Sequence, residues 1–113
     1  MVKKLYDYLH LNNVNVYFPG QHQGECIKNY VVIKDDGIIS DNGVVGRGFI
    51  DLLFFVPIPM YLECEKYKKQ VKDIIKQFGK LKYTGQETGP IVDDSKKAYT
   101  FSVLYETYKK LEG

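Results

Sequence analysis

Val2, Leu5, Tyr6 and Leu9 recur at helical spacing near the start of the chain, and Asn12, Asn13, Pro19 and Gly20 follow as breakers. This pattern predicts a short amphipathic helix and then a turn-rich connection. Residues 26–34, Cys-Ile-Lys-Asn-Tyr-Val-Val-Ile-Lys, are rich in β-branched and aromatic types and run into Asp35-Asp36-Gly37, a strand followed by a turn. Residues 37–48 hold four glycines with Asp41-Asn42-Gly43 among them, so 35–48 reads as a mobile or functional connection. Residues 49–56 are nearly all apolar and read as a central strand, which Pro57 and Pro59 stop.

Within residues 61–78, Tyr67, Val71, Ile74, Ile75 and Phe78 fall on one face of an α-helix, and Gly79 supplies its C-terminal stop. Glu63 and Glu65 lie near the start of this helix and lysines crowd its middle and end, in keeping with the helix macrodipole. Short extended pieces broken by Gly85, Gly89-Pro90 and Asp93-Asp94-Ser95 precede a run at 98–110. There Tyr99, Phe101, Val103 and Tyr105 alternate with Thr100, Ser102, Leu104 and Glu106, the two-residue period of a strand. The order helix, strand, loop, strand, helix, strand, strand predicts one α+β domain over residues 1–113. Its sheet is mostly antiparallel or mixed, with a long amphipathic helix and a short N-terminal helix packed on it.

The 113 residues suit a single core and exclude a two-lobed enzyme. The longest apolar stretch contains Asp51 and two prolines and falls short of the roughly 20 residues that a membrane-spanning helix needs, so no membrane span is expected. The ten Tyr and six Phe, with no Trp, fit half-buried sheets and interfaces. Fifteen of the sixteen cations are Lys and one is Arg47, while the net charge is only +2, which argues against base-edge readout of nucleic acid. The charge is uneven: residues 66–82 carry seven lysines against the single Asp73, leaving the remainder net acidic.

Candidate chemistry is sparse. His10 and His22 are far apart in the chain, and Cys26 and Cys64 lack metal-ligand or redox spacing. The start Met1-Val2-Lys3-Lys4 does not read as a signal peptide, so reduced thiols in an intracellular setting are expected. Cys64 lies between Glu63 and Glu65, whose charges oppose a thiolate, and reads as a packing residue. Gly43-Val-Val-Gly46-Arg47-Gly48 lacks the Lys-Ser/Thr of a phosphate loop and leads into a strand instead of a helix. Asp35, Asp36, Asp41, Asp93 and Asp94 lack calcium-loop spacing and read as turn residues. No catalytic residue, metal or cofactor is expected.

The strand and turn Tyr-Val-Val-Ile-Lys-Asp-Asp-Gly at 30–37, the central Phe-Ile-Asp-Leu-Leu-Phe-Phe-Val-Pro at 49–57, the Lys-rich helix and the closing Ala-Tyr-Thr-Phe-Ser-Val-Leu-Tyr at 98–105 carry a resemblance. Together they resemble the tail terminator, or tail completion, family of long-tailed bacteriophages. The resemblance implies a non-enzymatic virion protein, assembled in the host cytoplasm, that forms a ring, usually a hexamer, at the tail end or neck. Such a ring stops tube polymerisation and offers the surface that the head connector joins. Its implied partners are copies of itself, the tail tube protein and the head-tail connector proteins, with DNA only as cargo passing through the lumen.

A ring needs two different patches on each protomer, and a sheet edge and the charged helix are the expected halves. Asp35, Asp36, Asp41 and Arg47 are the candidate docking loop for tube or connector, and Lys69, Lys72 and Lys76 the candidate inter-subunit basic face. The alternative is a small nucleic-acid-binding module using the basic face at 66–82 with Tyr30 or Tyr83 stacking on bases. A small enzyme of tautomerase or acyl-transfer type ranks behind both, since only isolated Cys and His candidates are offered.

Overall fold

A computed structural model describes residues 1–40 and 45–110, with 38–40, 45–47 and 108–110 described as backbone. The elements in chain order are α1 (Val2–Leu11), β1 (Val16–Tyr17), β2 (Tyr30–Ser40), β3 (Val45–Pro57), α2 (Glu63–Phe78), β4 (Lys82–Glu87), β5 (Ile91–Asp93) and β6 (Ala98–Lys110). They build one α+β domain around a mixed sheet ordered β1-β2-β3-β6-β4, with β5 also pairing β6. Only β1 and β2 run parallel; every other pair is antiparallel.

Alternation sorts the sheet residues onto two faces. Val31, Ile33, Ile50, Leu52, Phe54, Val56, Phe101, Val103 and Tyr105 form the face under the helices, where Leu5 and Leu9 of α1 and Cys64, Tyr67, Val71 and Ile75 of α2 complete the main core. Phe54 stacks on Phe101 at 4.9 Å between ring centroids and meets Tyr67 edge-on at 5.9 Å, so aromatic packing locks α2 to the sheet centre. The helix ends where expected, on Gly79 in the left-handed conformation with φ 73°.

The second face has a smaller core at one end only. Cys26, Tyr30, Phe55 and Ala98 are buried there, with Tyr17, Val32 and Leu53 packed around them. This explains why Phe54, Phe55 and Val56 are buried in succession: the irregular segment before β2 covers the outward side of β3. Residues 26–29, expected as strand, belong to that covering segment, and the Cys26 N–H donates to the Lys96 carbonyl at 2.7 Å.

The expected mobile connection at 35–48 is mostly strand. Residues 35–40 pair with 46–50 in a long hairpin, and β6 flanks β3 as far as the pair Val45↔Lys110. The third strand supplies pairing along the whole length of β3, so the glycine-rich stretch gains ladder hydrogen bonds that local composition does not reveal. Asp36 is the extra residue of a bulge that Gly37, with φ +90°, closes, while a Cβ on Gly48 would meet Thr107 Cγ2 at 3.2 Å.

Candidate functional site

Two exposed surfaces of the sheet differ in character. Beyond Pro57, the turn into α2 leaves Ile58, Met60, Tyr61 and Leu62 exposed, and the short strand β5 exposes Ile91 and Val92. Pro57 pairs with Ala98, and Ala98 with Asp93, so both apolar groups lie at the same end of the sheet. Tyr61 meets the ring of Tyr99 at 5.3 Å, and Tyr99 is the register partner of Val92. On β2, beside the middle of β3, stand the exposed Lys34, Asp35 and Asp36. Asp35 Oδ1 accepts from the Gly37 N–H at 2.8 Å, an Asx-type contact that fixes the bulge. Asp36 lies 3.6 Å from Lys34 Nζ. Burial and the nearby Asp36 charge hold the Asp51 carboxyl above its usual range, against the pull of Lys34.

A second constellation ties α2 to β4. Lys68, buried on the core side of the helix, places Nζ 2.7 Å from Glu87 Oε1 and 3.0 Å from Glu65 Oε1. Lys72 Nζ donates to Glu87 Oε2 at 2.9 Å and sits 4.3 Å from the Tyr83 ring centroid, and the Tyr83 hydroxyl donates to the same carboxylate oxygen. The Lys68 and Tyr83 hydrogen bonds, with a further one from Lys72, pull Glu87 down to about 2. Burial opposes the Lys68 charge, but the hydrogen bonds from Glu87 and Glu65 outweigh it and raise its pKa. Every charge here meets its opposite, so the cluster acts as a clasp.

The third constellation is aromatic. His22 stacks on Tyr30 at 4.0 Å, Tyr30 stacks on Phe55 at 4.7 Å, and Tyr17 meets both His22 and Tyr30 edge-on. Desolvation and the Lys96 charge lower the His22 pKa, which favours the neutral ring. Burial pushes the Cys26 thiol up to about 11 and raises Cys64 as well, and both are free. His10 is exposed on α1, its ring stacked near Tyr6 at 6.1 Å.

Of the candidate docking residues, Asp35 and Asp36 share the β2 bulge. Arg47 lies opposite Ile39 in the hairpin, its backbone alone described, and Asp41 falls outside the described residues. Of the candidate basic face, Lys69 and Lys76 are exposed, whereas Lys72 is half-buried and engaged by Glu87 within the chain. Sequence reasoning missed the partnership of Lys68 with Glu87, because nineteen residues and a helix-to-strand turn separate them. It also passed over Ile91-Val92, whose signal was an apolar pair between Pro90 and Asp93. Among the described residues no group of His, Cys, Asp and Glu could hold a metal ion, and no helix is long and apolar enough to cross a membrane.

The fold and these surfaces define an α+β domain with helices over one face of a mixed sheet, an apolar end and charged open edges. No protein-family model matches the chain, and no curated protein matches it.

Proposed function

We propose that this protein is a non-enzymatic structural component of a bacteriophage tail, which closes the end of the tail tube as a ring, halts its polymerisation and presents the surface for head joining. The observation that carries the reading is a pair of unlike exposed surfaces. Leu62, Ile91 and Val92 are 82%, 66% and 54% exposed at one end of β3, while Lys34, Asp35 and Asp36 stand exposed on β2 beside the middle of β3, where Lys34 pairs with Asp51 and Asp35 with Ile50. Clustered exposed apolar side chains mark an interaction site, and two surfaces of different chemistry suit a piece that joins two different assemblies, tube and connector. The resemblance in element order and strand texture supplies the phage-tail setting and the ring. In this reading the partners are copies of the chain, the tube protein and the connector, at the virion neck, with no cofactor and DNA only in transit.

The alternative nucleic-acid module is weakened by the clasp, since Glu87 takes up Lys68 and Lys72 at the centre of the basic stretch. The test is phage assembled without this protein: tubes of uncontrolled length lacking heads are expected, and tails of normal length with attached heads overturn the proposal. An Ile91→Asp, Val92→Asp variant is expected to fail in docking with an unchanged melting temperature, as exposed substitutions usually shift stability by no more than about 0.5 kcal/mol.

A further inference from the structure

The sheet has two open edges. β1 pairs β2 only at Val31 and Val32, so among the described residues no strand flanks the outer edge of β2 from Ile33 to Ser40. On the opposite side β4 is the last strand, and among the described residues no strand flanks its outer edge. The registers place these edges level with one another. Gly37 pairs with Phe49, Phe49 with Glu106, and Glu106 with Lys82, so one rung runs from the β2 bulge to the start of β4. The next rung runs from Asp35 through Ile50 and Tyr105 to Tyr83.

The two ends of these rungs have opposite charge. Asp35 and Asp36 outnumber Lys34 on the β2 edge, and all three are exposed. Lys80 and Lys82 are exposed beside and on the β4 edge, and neither forms an ion pair among the described residues. Strand direction is also complementary: β2, β3, β6 and β4 alternate in direction, so β4 is antiparallel to β2 and would extend the sheet in the favoured antiparallel sense.

We propose that the partner at these edges is a second copy of this chain, with the β2 edge around Asp35 and Asp36 of one copy laid antiparallel against the β4 edge around Lys82 of the next. Charges on an edge strand commonly guard it against any pairing. Here the signs favour one pairing: the excess of acid on the β2 edge faces Lys80 and Lys82, which form no ion pair among the described residues, at the start of β4. A joint between two different patches is heterologous, and repeated rotation closes it into a ring. The inference rests on the ring reading above and replaces the helix lysines with the β4 edge as the basic half of the interface.

The test is a charge swap read by native mass in sedimentation at low salt. Asp36→Lys and Lys82→Glu are each expected to weaken self-association about tenfold, and the double variant Asp36→Lys, Lys82→Glu to restore it. Circular dichroism and melting temperature, expected at wild-type values, separate lost association from lost folding. If either reversal unfolds the chain, the neutral pair Asp36→Asn and Lys82→Gln carries the same comparison, each weakening association. A wild-type chain that stays monomeric at all concentrations overturns the proposal. So does association that neither reversal weakens, or a double variant no better than the singles. Those last outcomes discard this joint and leave the terminator reading to the tail-length experiment, which alone decides it.

Discussion

Lys68 Nζ lies 2.7 Å from Glu87 Oε1, joining the second turn of α2 to the far end of β4 through a lysine whose side chain is only 11% exposed. The contact matters because β4 is otherwise loosely attached. It pairs with β6 at Lys82, Tyr83 and Glu87 only, with a register shift between Tyr83 and Glu87. Thr84 Oγ1 donates to the Leu104 carbonyl at 2.9 Å inside that irregularity, and the clasp pins the far side. The strand that offers the basic edge is thus held by side chains as much as by its ladder.

Glu87→Gln is therefore expected to destabilise the fold by about 1–3 kcal/mol, because Lys68 is left with Glu65, whose side chain is 76% exposed. Lys68→Met, which removes the buried charge instead of its partner, is expected to cost less. The double variant is expected to cost less than the sum, with a coupling of about 0.5–3 kcal/mol in urea unfolding. Additive losses would show that the two groups do not act as a unit.

Acid sensitivity follows from the directions of the shifted groups. The native His22 pKa lies below its ordinary 6.5, so its contribution is complete above that value and is lost as pH falls through the lower native value. The contribution of Glu87 is present above its ordinary 4.5 and is lost as pH falls toward about 2. Asp51 works in the opposite sense, since its raised native pKa lets the fold gain stability as the group protonates. Urea midpoints are expected to fall as pH drops below the ordinary 6.5 of His22, and His22→Phe, which keeps an aromatic ring on Tyr30, is expected to flatten that limb. Glu87→Gln is expected to flatten only the limb below about pH 4.5.

Adjacent isoleucines on α2 are expected to differ. Ile75 is 1% exposed in the main core, whereas Ile74 is only packed against it. Ile75→Ala is expected to cost about 2–5 kcal/mol, and Ile74→Ala clearly less, read from denaturation midpoints at equal slope. Equal losses would mean that α2 sits rotated from the orientation described.

Some of this architecture was written locally. The spacing of Tyr67, Val71 and Ile75, the stop at Gly79 and the alternation through Phe101, Val103 and Tyr105 are short-range periodic signals, and the structure has α2 and β6 where they predict. Asp35 and Asp36 were legible as exposed acids, but the turn expected there is a bulge inside β2, because β3 pairs with the chain on both sides of it. A nearly continuous apolar run also marked residues 49–56 as a central strand, and β3 lies between β2 and β6.

Tertiary structure decided what depends on distant partners. The hairpin through 35–40 and 45–50 exists because β6 flanks β3 over its whole length, and no local signal in a glycine-rich stretch reports a strand some sixty residues away. Lys68 reads in sequence as one of five similar helix lysines, and only the return of the chain through β4 brings Glu87 to it and turns a surface charge into a buried clasp. The level placement of Asp35 and Gly37 with Tyr83 and Lys82 likewise emerges only from three strand registers combined. Sequence alone determined which segments could be helix or strand, because that preference is set by side chains a few residues apart. Pairing, burial and the sign of each edge were decided by the fold, because they depend on which segments meet in space.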